Sequence, residues 1–222
     1  MSFFCGIFHF DGRPVSHEAV ADALKAYEAS WMGQNSLQGK INIQDEFGTG
    51  KLRCSRSLPS DTSYERSEDV SHQHFAVNVG ELRYRDQLKS KLGLTTHVCH
   101  ERTDEQLIIA AWRKWGADCV DHIRGDCAFA IFDRDRRELN CFQSLVALNP
   151  LYFVHTDHFF AFASRIRPLI ALAGLQARLN EKSFADAISL SFFNDSAEKK
   201  HGASRVSTGE TMYQGVRSLL GS

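Results

Sequence analysis

Six cysteines and ten histidines are the side chains of this sequence best able to do chemistry at neutral pH. Cys5, Cys54, Cys99, Cys119, Cys127 and Cys141 are scattered without C-x-x-C spacing. They read as reduced thiols rather than as a disulfide framework. His97, Cys99 and His100, with His72 and His74 upstream, could offer metal ligands. No second cluster has finger-type spacing, so surface histidines account for them better. Cys5 lies inside the chain, where only an amide nitrogen sits beside the thiol and no amine can serve as its base. A small buried strand residue is the plainer role for it. Asp104, in Thr103-Asp104-Glu105-Gln106, is a first-turn carboxylate behind a capping threonine. Arg53 and Arg56 read as solvated cations of a polar stretch. No S-G-G-x-D-S or G-x-x-x-x-G-K-[ST] loop is present to bind ATP phosphates, and no G-x-S-x-G, H-E-x-x-H or paired-carboxylate pattern occurs.

The elements that must position these residues follow from periodicity. The apolar runs 127–132 (CAFAIF), 151–154 (LYFV) and 159–163 (FFAFA) are separated by turn-prone residues and read as buried strands of one antiparallel meander. Strands apolar on both faces need a layer above and below. Residues 2–12 read as a strand ending in an Asp-Gly turn, and residues 74–82 as a strand with Phe75, Val77 and Val79 on one face. Ser16 caps a helix expected to reach Trp31, and Gly93 stops a short helix from Arg83. The capping box at Thr103 opens a helix to Trp115, and residues 179–193 form another. Residues 40–71 read as short strands and a long loop.

With 222 residues, 43% apolar and 24% charged, the chain suits one well-buried domain plus an appendage. A net charge of −1 carries no footprint for nucleic acid or anionic membrane. No membrane span or signal peptide is evident, which implies the cytoplasm.

The segments RGDCAFAIFDRDRREL (124–139), NPLYF (149–153) and FAFASRIRPLI (160–170) resemble the N-terminal glutaminase-type domain of asparagine synthetase-like proteins. That group includes asparagine synthetase, β-lactam synthetase and the lasso-peptide cyclases. The resemblance implies an α+β fold, the four-layer α/β/β/α sandwich of two antiparallel sheets found in N-terminal-nucleophile (Ntn) hydrolases and class II glutamine amidotransferases. It covers residues 1–175, leaving 176–222 as a helix and linker leading toward an absent synthetase domain.

The family's nucleophile is a cysteine at position 2, whose own α-amine acts as base. Two alignments compete. Cys5-Gly6-Ile7 could be the family's C-G-I, with residues 1–4 a leader to be cleaved. Alternatively, an ungapped alignment matches Gly6, Ile7, Phe8, Phe10, Asp11 and Gly12, and puts Ser2 at the nucleophile position. We adopt the second, which needs neither gap nor protease. In the family's N-G-E motif, which holds the oxyanion and substrate, Gly80 and Glu81 match. The asparagine position becomes Val79, with Asn78 one residue off and on the opposite strand face unless a bulge restores it. By the same resemblance Asp104 would hold the glutamine amine, and Arg56 or Arg53 the glutamine carboxylate. The H-R-G-P-D loop is reduced to its glycine in 31–35, and R-D-x-x-G-x-x-P-L-Y-Y keeps only its strand end in 143–153.

These departures imply a degenerate glutaminase acting as scaffold in an ATP-dependent amide-forming ligase. A live glutaminase or a stand-alone binding module are the alternatives. No cofactor is expected in this chain, since ATP and Mg would belong to the synthetase domain. That domain, in the same longer chain or a separate protein, is the expected partner, and the sequence leaves glutamine and a homodimer open.

Overall fold

Alternation through the first strand decides the architecture. In β1 (Ser2–His9), Phe3, Cys5 and Ile7 join one apolar cluster, while Phe4 and Phe8 join another. A strand buried on both faces must lie between two layers, and the computed structural model shows both. It describes residues 2–30, 37–44, 46–54, 73–94, 102–144, 148–193 and 209–220, with the backbone alone at 2, 37, 38, 44, 52–54 and 190–193.

The outer face of β1 is covered by α1 (His17–Glu28), whose Val20, Ala23, Leu24 and Tyr27 are buried. Ser16 caps this helix by accepting from the Glu18 N–H at 3.2 Å. The ring of Phe3 stacks on Tyr27 with centroids 4.5 Å apart. The helix ends at Glu28, short of the expected Trp31, which lies outside the described residues. β2 (Leu37–Gln44) and β3 (Phe47–Cys54) form a hairpin that pairs with β1.

β4 (His74–Arg83) begins the second sheet and leads into α2 (Arg85–Leu92), which ends on Gly93 in the left-handed region. Next come α3 (Asp104–Trp115), opened by the expected capping box, and a 3-10 turn over Gly116–Asp121. β5 (Arg124–Asp133) and β6 (Glu138–Gln143) complete the three described strands of that sheet. β7 (Tyr152–His155), β8 (Phe159–Ala163), α4 (Ile166–Leu172) and α5 (Glu181–Phe193) follow. β9 (Arg217–Ser218) is a short last strand on β7.

Among the described residues the larger sheet has six strands in the order β2-β3-β1-β8-β7-β9, and the smaller has three, β4-β5-β6. Every pairing is antiparallel. α1 and α4 cover the larger sheet, α2 and α3 the smaller, giving the α/β/β/α layering expected from sequence. The sheets meet over Phe4, Phe8, Phe47, Phe132 and Phe162, and Phe47 stacks on Phe132 at 4.3 Å. Each such buried ring stabilises the sandwich by about 1.5–3 kcal/mol.

The single meander is corrected. The runs 127–132, 151–154 and 159–163 divide between the sheets, because the chain crosses from the smaller to the larger sheet between β6 and β7. β6 itself escaped the sequence reading. As a strand at the sheet margin it mixes polar Glu138, Asn140 and Gln143 with Leu139 and Cys141, which face the inter-sheet core.

Candidate functional site

The residues singled out by sequence gather where the N-terminal half of β1 faces β4. Ser2 pairs with Arg53 and Phe4 with Lys51 across the β1–β3 ladder. Partners in register point to the same side, and Phe4 faces the inter-sheet core, so Lys51 does too. Cys5 has the opposite parity. It is fully buried under α1, between Gly50 and Ala163 on the neighbouring strands. Burial pushes its thiol up to about 12, against a weaker opposing contribution from a backbone hydrogen bond to Gly50. Such a thiol is protonated at neutral pH and is a poor nucleophile.

On β4 the period of two sends Phe75, Val77 and Val79 into the inter-sheet core and Ala76 and Leu82 toward α2 and α3. Asn78 shares the parity of Ala76. The β4–β5 ladder pairs residue for residue from His74–Asp133 to Arg83–Arg124, so no bulge returns Asn78 to the inner face. Among the described residues β4 is the outermost strand on its side of the smaller sheet, so a long side chain can pass its flank. Lys51 does so: its Nζ donates to Asn78 Oδ1 at 3.0 Å and pairs with the carboxylate of Glu105 on α3. The lysine side chain is 23% exposed and the glutamate 11%, so the pair is largely withdrawn from water.

Gly80 has φ +93°, and a Cβ there would sit 2.0 Å from the Asp126 carbonyl oxygen. Only glycine allows both that backbone and that approach. Glu81 is exposed. Asp104 is committed inside the protein: Arg85 Nη1 donates to one oxygen, and the Leu82 N–H donates to the other at 3.4 Å. Arg85 also donates to the Arg102 carbonyl, which fixes the guanidinium in place. Arg56 lies outside the described residues, and Arg53 is placed by its backbone alone.

The structure thus brings Ser2, Arg53, Asn78, Gly80 and Asp104 to one end of the sandwich and sets Cys5 on the other face of β1. Sequence reasoning missed Lys51, Glu105 and Arg85. Lys51 alternates into the core face of its strand, and that parity was the available signal. His74 pairs with Asp133 at 3.5 Å, away from this site, and the other histidines and Cys99 of the two His-rich stretches lie outside the described residues. Among the described residues no group of three His, Cys, Asp or Glu could hold a metal.

Residues 66–171 match the family described as glutamine amidotransferase domain. This chain contains a glutamine amidotransferase domain related to asparagine synthetases. The amidotransferase domain is 26% identical over 111 residues to asparagine synthetase [glutamine-hydrolyzing] 3 of Bacillus subtilis, covering 50% of this chain and 18% of that protein. It is 29% identical over 154 residues to putative asparagine synthetase [glutamine-hydrolyzing] 2 of Methanocaldococcus jannaschii, covering 69% and 29%. The chain thus spans less than a third of either relative. Glutamine PRPP amidotransferase of B. subtilis, solved with ADP and GMP, superposes with TM-score 0.58 at 12% identity, over 78% of this chain and 44% of that one. At that identity the likeness concerns the fold, and the fold is the Ntn amidotransferase sandwich.

Proposed function

We propose that this amidotransferase domain is degenerate for glutamine hydrolysis and serves as a scaffold in an ATP-dependent, amide-forming ligase of the asparagine synthetase-like group. The observation that carries the proposal is the placement of Asn78, held by Lys51 on the outer face of β4 while Val79 takes the inner one. An oxyanion needs a donor aimed into the site, and removing one such donor typically lowers turnover about 100- to 1000-fold. Ser2 in place of a thiol and Asp104 paired with Arg85 point the same way.

In this role the synthetase part brings ATP and Mg, and the substrate carboxylate is amidated without glutamine ammonia, as lasso-peptide cyclases and β-lactam synthetase would do. Exposed Leu179, Phe184, Met212 and Tyr213 give the region of α5 and the C-terminal arm an apolar surface for such a partner. The cytoplasm is the compartment that fits this role, and no described helix is long and apolar enough to cross a membrane.

The test is glutamate release from glutamine by purified protein, with the mature N-terminus fixed by intact mass. Background release from a chain retaining Ser2 is expected. Turnover well above background, or a mature chain starting at Cys5 that hydrolyses glutamine, would replace the scaffold with a working glutaminase.

A further inference from the structure

At the far end of β1 the inter-sheet space does not close. Among the described residues six strands of the larger sheet stand against three of the smaller, which leaves part of the larger sheet's inner face without an opposing strand. The result is a half-open cleft of ≈ 680 Å³. Phe10, Phe153 and Phe160 line it from the larger sheet, and Leu139 and Cys141 from β6. The rings are already ordered among themselves: Phe153 stacks on Phe160 at 5.5 Å, and Phe10 meets His155 edge-on at 5.7 Å. The C-terminal arm forms one wall, where Gly215 presents no side chain and Arg217 pairs in register with Phe153. That register aims the Arg217 side chain to the same inner face as Phe153.

Arg217 makes no side-chain hydrogen bond or ion pair among the described residues. Its cross-strand neighbour at the bridge, Glu210, accepts instead from the Ser183 hydroxyl at 3.3 Å. The lining contains no carboxylate. It therefore offers an apolar, ring-lined volume with a guanidinium donor at its wall. Sites for small molecules combine these features at about 300–1,000 Å³, and a planar guanidinium binds a carboxylate through two parallel hydrogen bonds.

The geometry points to a second ligand site in this domain, a cleft that takes a small organic monocarboxylate with a ring-sized apolar body, its carboxylate on Arg217 and its body among Phe10, Phe153 and Phe160. Six residue steps along β1 put this site roughly 20 Å from Ser2, so it is separate from the glutamine end and does not depend on whether that end is active.

The experiment titrates the full chain with 3-phenylpropionate and, in parallel, with 3-phenylpropan-1-ol, following heat and amide chemical shifts. The acid is expected to saturate, to bind about ten-fold or more tightly than the alcohol, and to shift amides of β6, β7 and residues 215–217. Arg217→Met keeps the aliphatic stem on an exposed side chain and should bring the acid down to the affinity of the alcohol. Leu139→Trp should abolish both, with near-ultraviolet circular dichroism confirming the fold. Equal binding of acid and alcohol to the unaltered chain, no saturation, shifts confined to the Ser2 end, or an Arg217→Met variant that binds the acid undiminished would each overturn the assignment.

Discussion

The two ends of the inter-sheet space share β1 and have opposite characters. At the Ser2 end, Lys51, Glu105, Asn78, Asp104 and Arg85 satisfy one another. At the Phe10 end, aromatic rings stand half-covered and Arg217 has no described partner. Polar groups buried together must be paired, because an unpaired charge out of water costs several kcal/mol. A charge at an open mouth bears no such cost and can wait for a ligand. The contrast teaches that charged residues gathered at one end of a fold can be spent on each other, while a lone charge at the other is left open to a ligand.

That contrast can be broken most severely at Gly80. Gly80→Val forces a side chain onto φ +93° and into the Asp126 carbonyl, and should destabilise the chain by about 4 kcal/mol or more in urea unfolding. Less costly is removal of one partner of the internal pair. Lys51→Met leaves Glu105 and Asn78 unpaired and should cost about 2–3 kcal/mol. Adding Glu105→Leu should bring stability back to within about 1 kcal/mol of the parent; a double variant no better than the single would show that the pair is not self-contained.

A smaller effect concerns thiols shielded from both ends. Cys5 and Cys119 are pushed up to about 12 and Cys127 to about 11, each chiefly by burial. Above the ordinary thiol value of 9.0 the unfolded chain loses these protons while the folded one keeps them, so stability falls as pH rises. Stability should be unaffected by these groups below pH 9, then decline by up to about 1.4 kcal/mol per pH unit for each thiol. Cys5→Ala should remove one share of that slope. The smallest expected effect is none at all: Ser2→Cys should release no glutamate from glutamine while Asn78 stays on the outer face, and a gain of turnover would sharpen the contrast in the opposite sense.

Much of this was legible in the text. Apolar runs bounded by turn residues located β1, β5, β7 and β8, period-two alternation located β4, and the N-cap at Ser16 and the capping box at Thr103 located α1 and α3. Alternation alone also put Asn78 on the face where it is found. Sheet membership was not legible, since strands 127–132 and 151–154 look alike whichever sheet receives them. Nor was the Lys51–Glu105 pair, because its partners are 54 residues apart and a lone lysine in a polar stretch looks solvated. Arg217 looked like linker text until its strand register turned it inward.

The middle of β1 carries a further consequence, for synthesis. Phe4 bonds Ser164 through both backbone and hydroxyl, across 160 residues of chain. At about 5–20 residues per second a ribosome needs on the order of ten to thirty seconds to deliver that partner. Through that interval β1 has β3 on one edge and nothing on the other. Its aromatic residues must be shielded meanwhile by the hairpin, by α1 or by a chaperone, and the yield of folded protein should fall when translation is slowed before β8 has emerged.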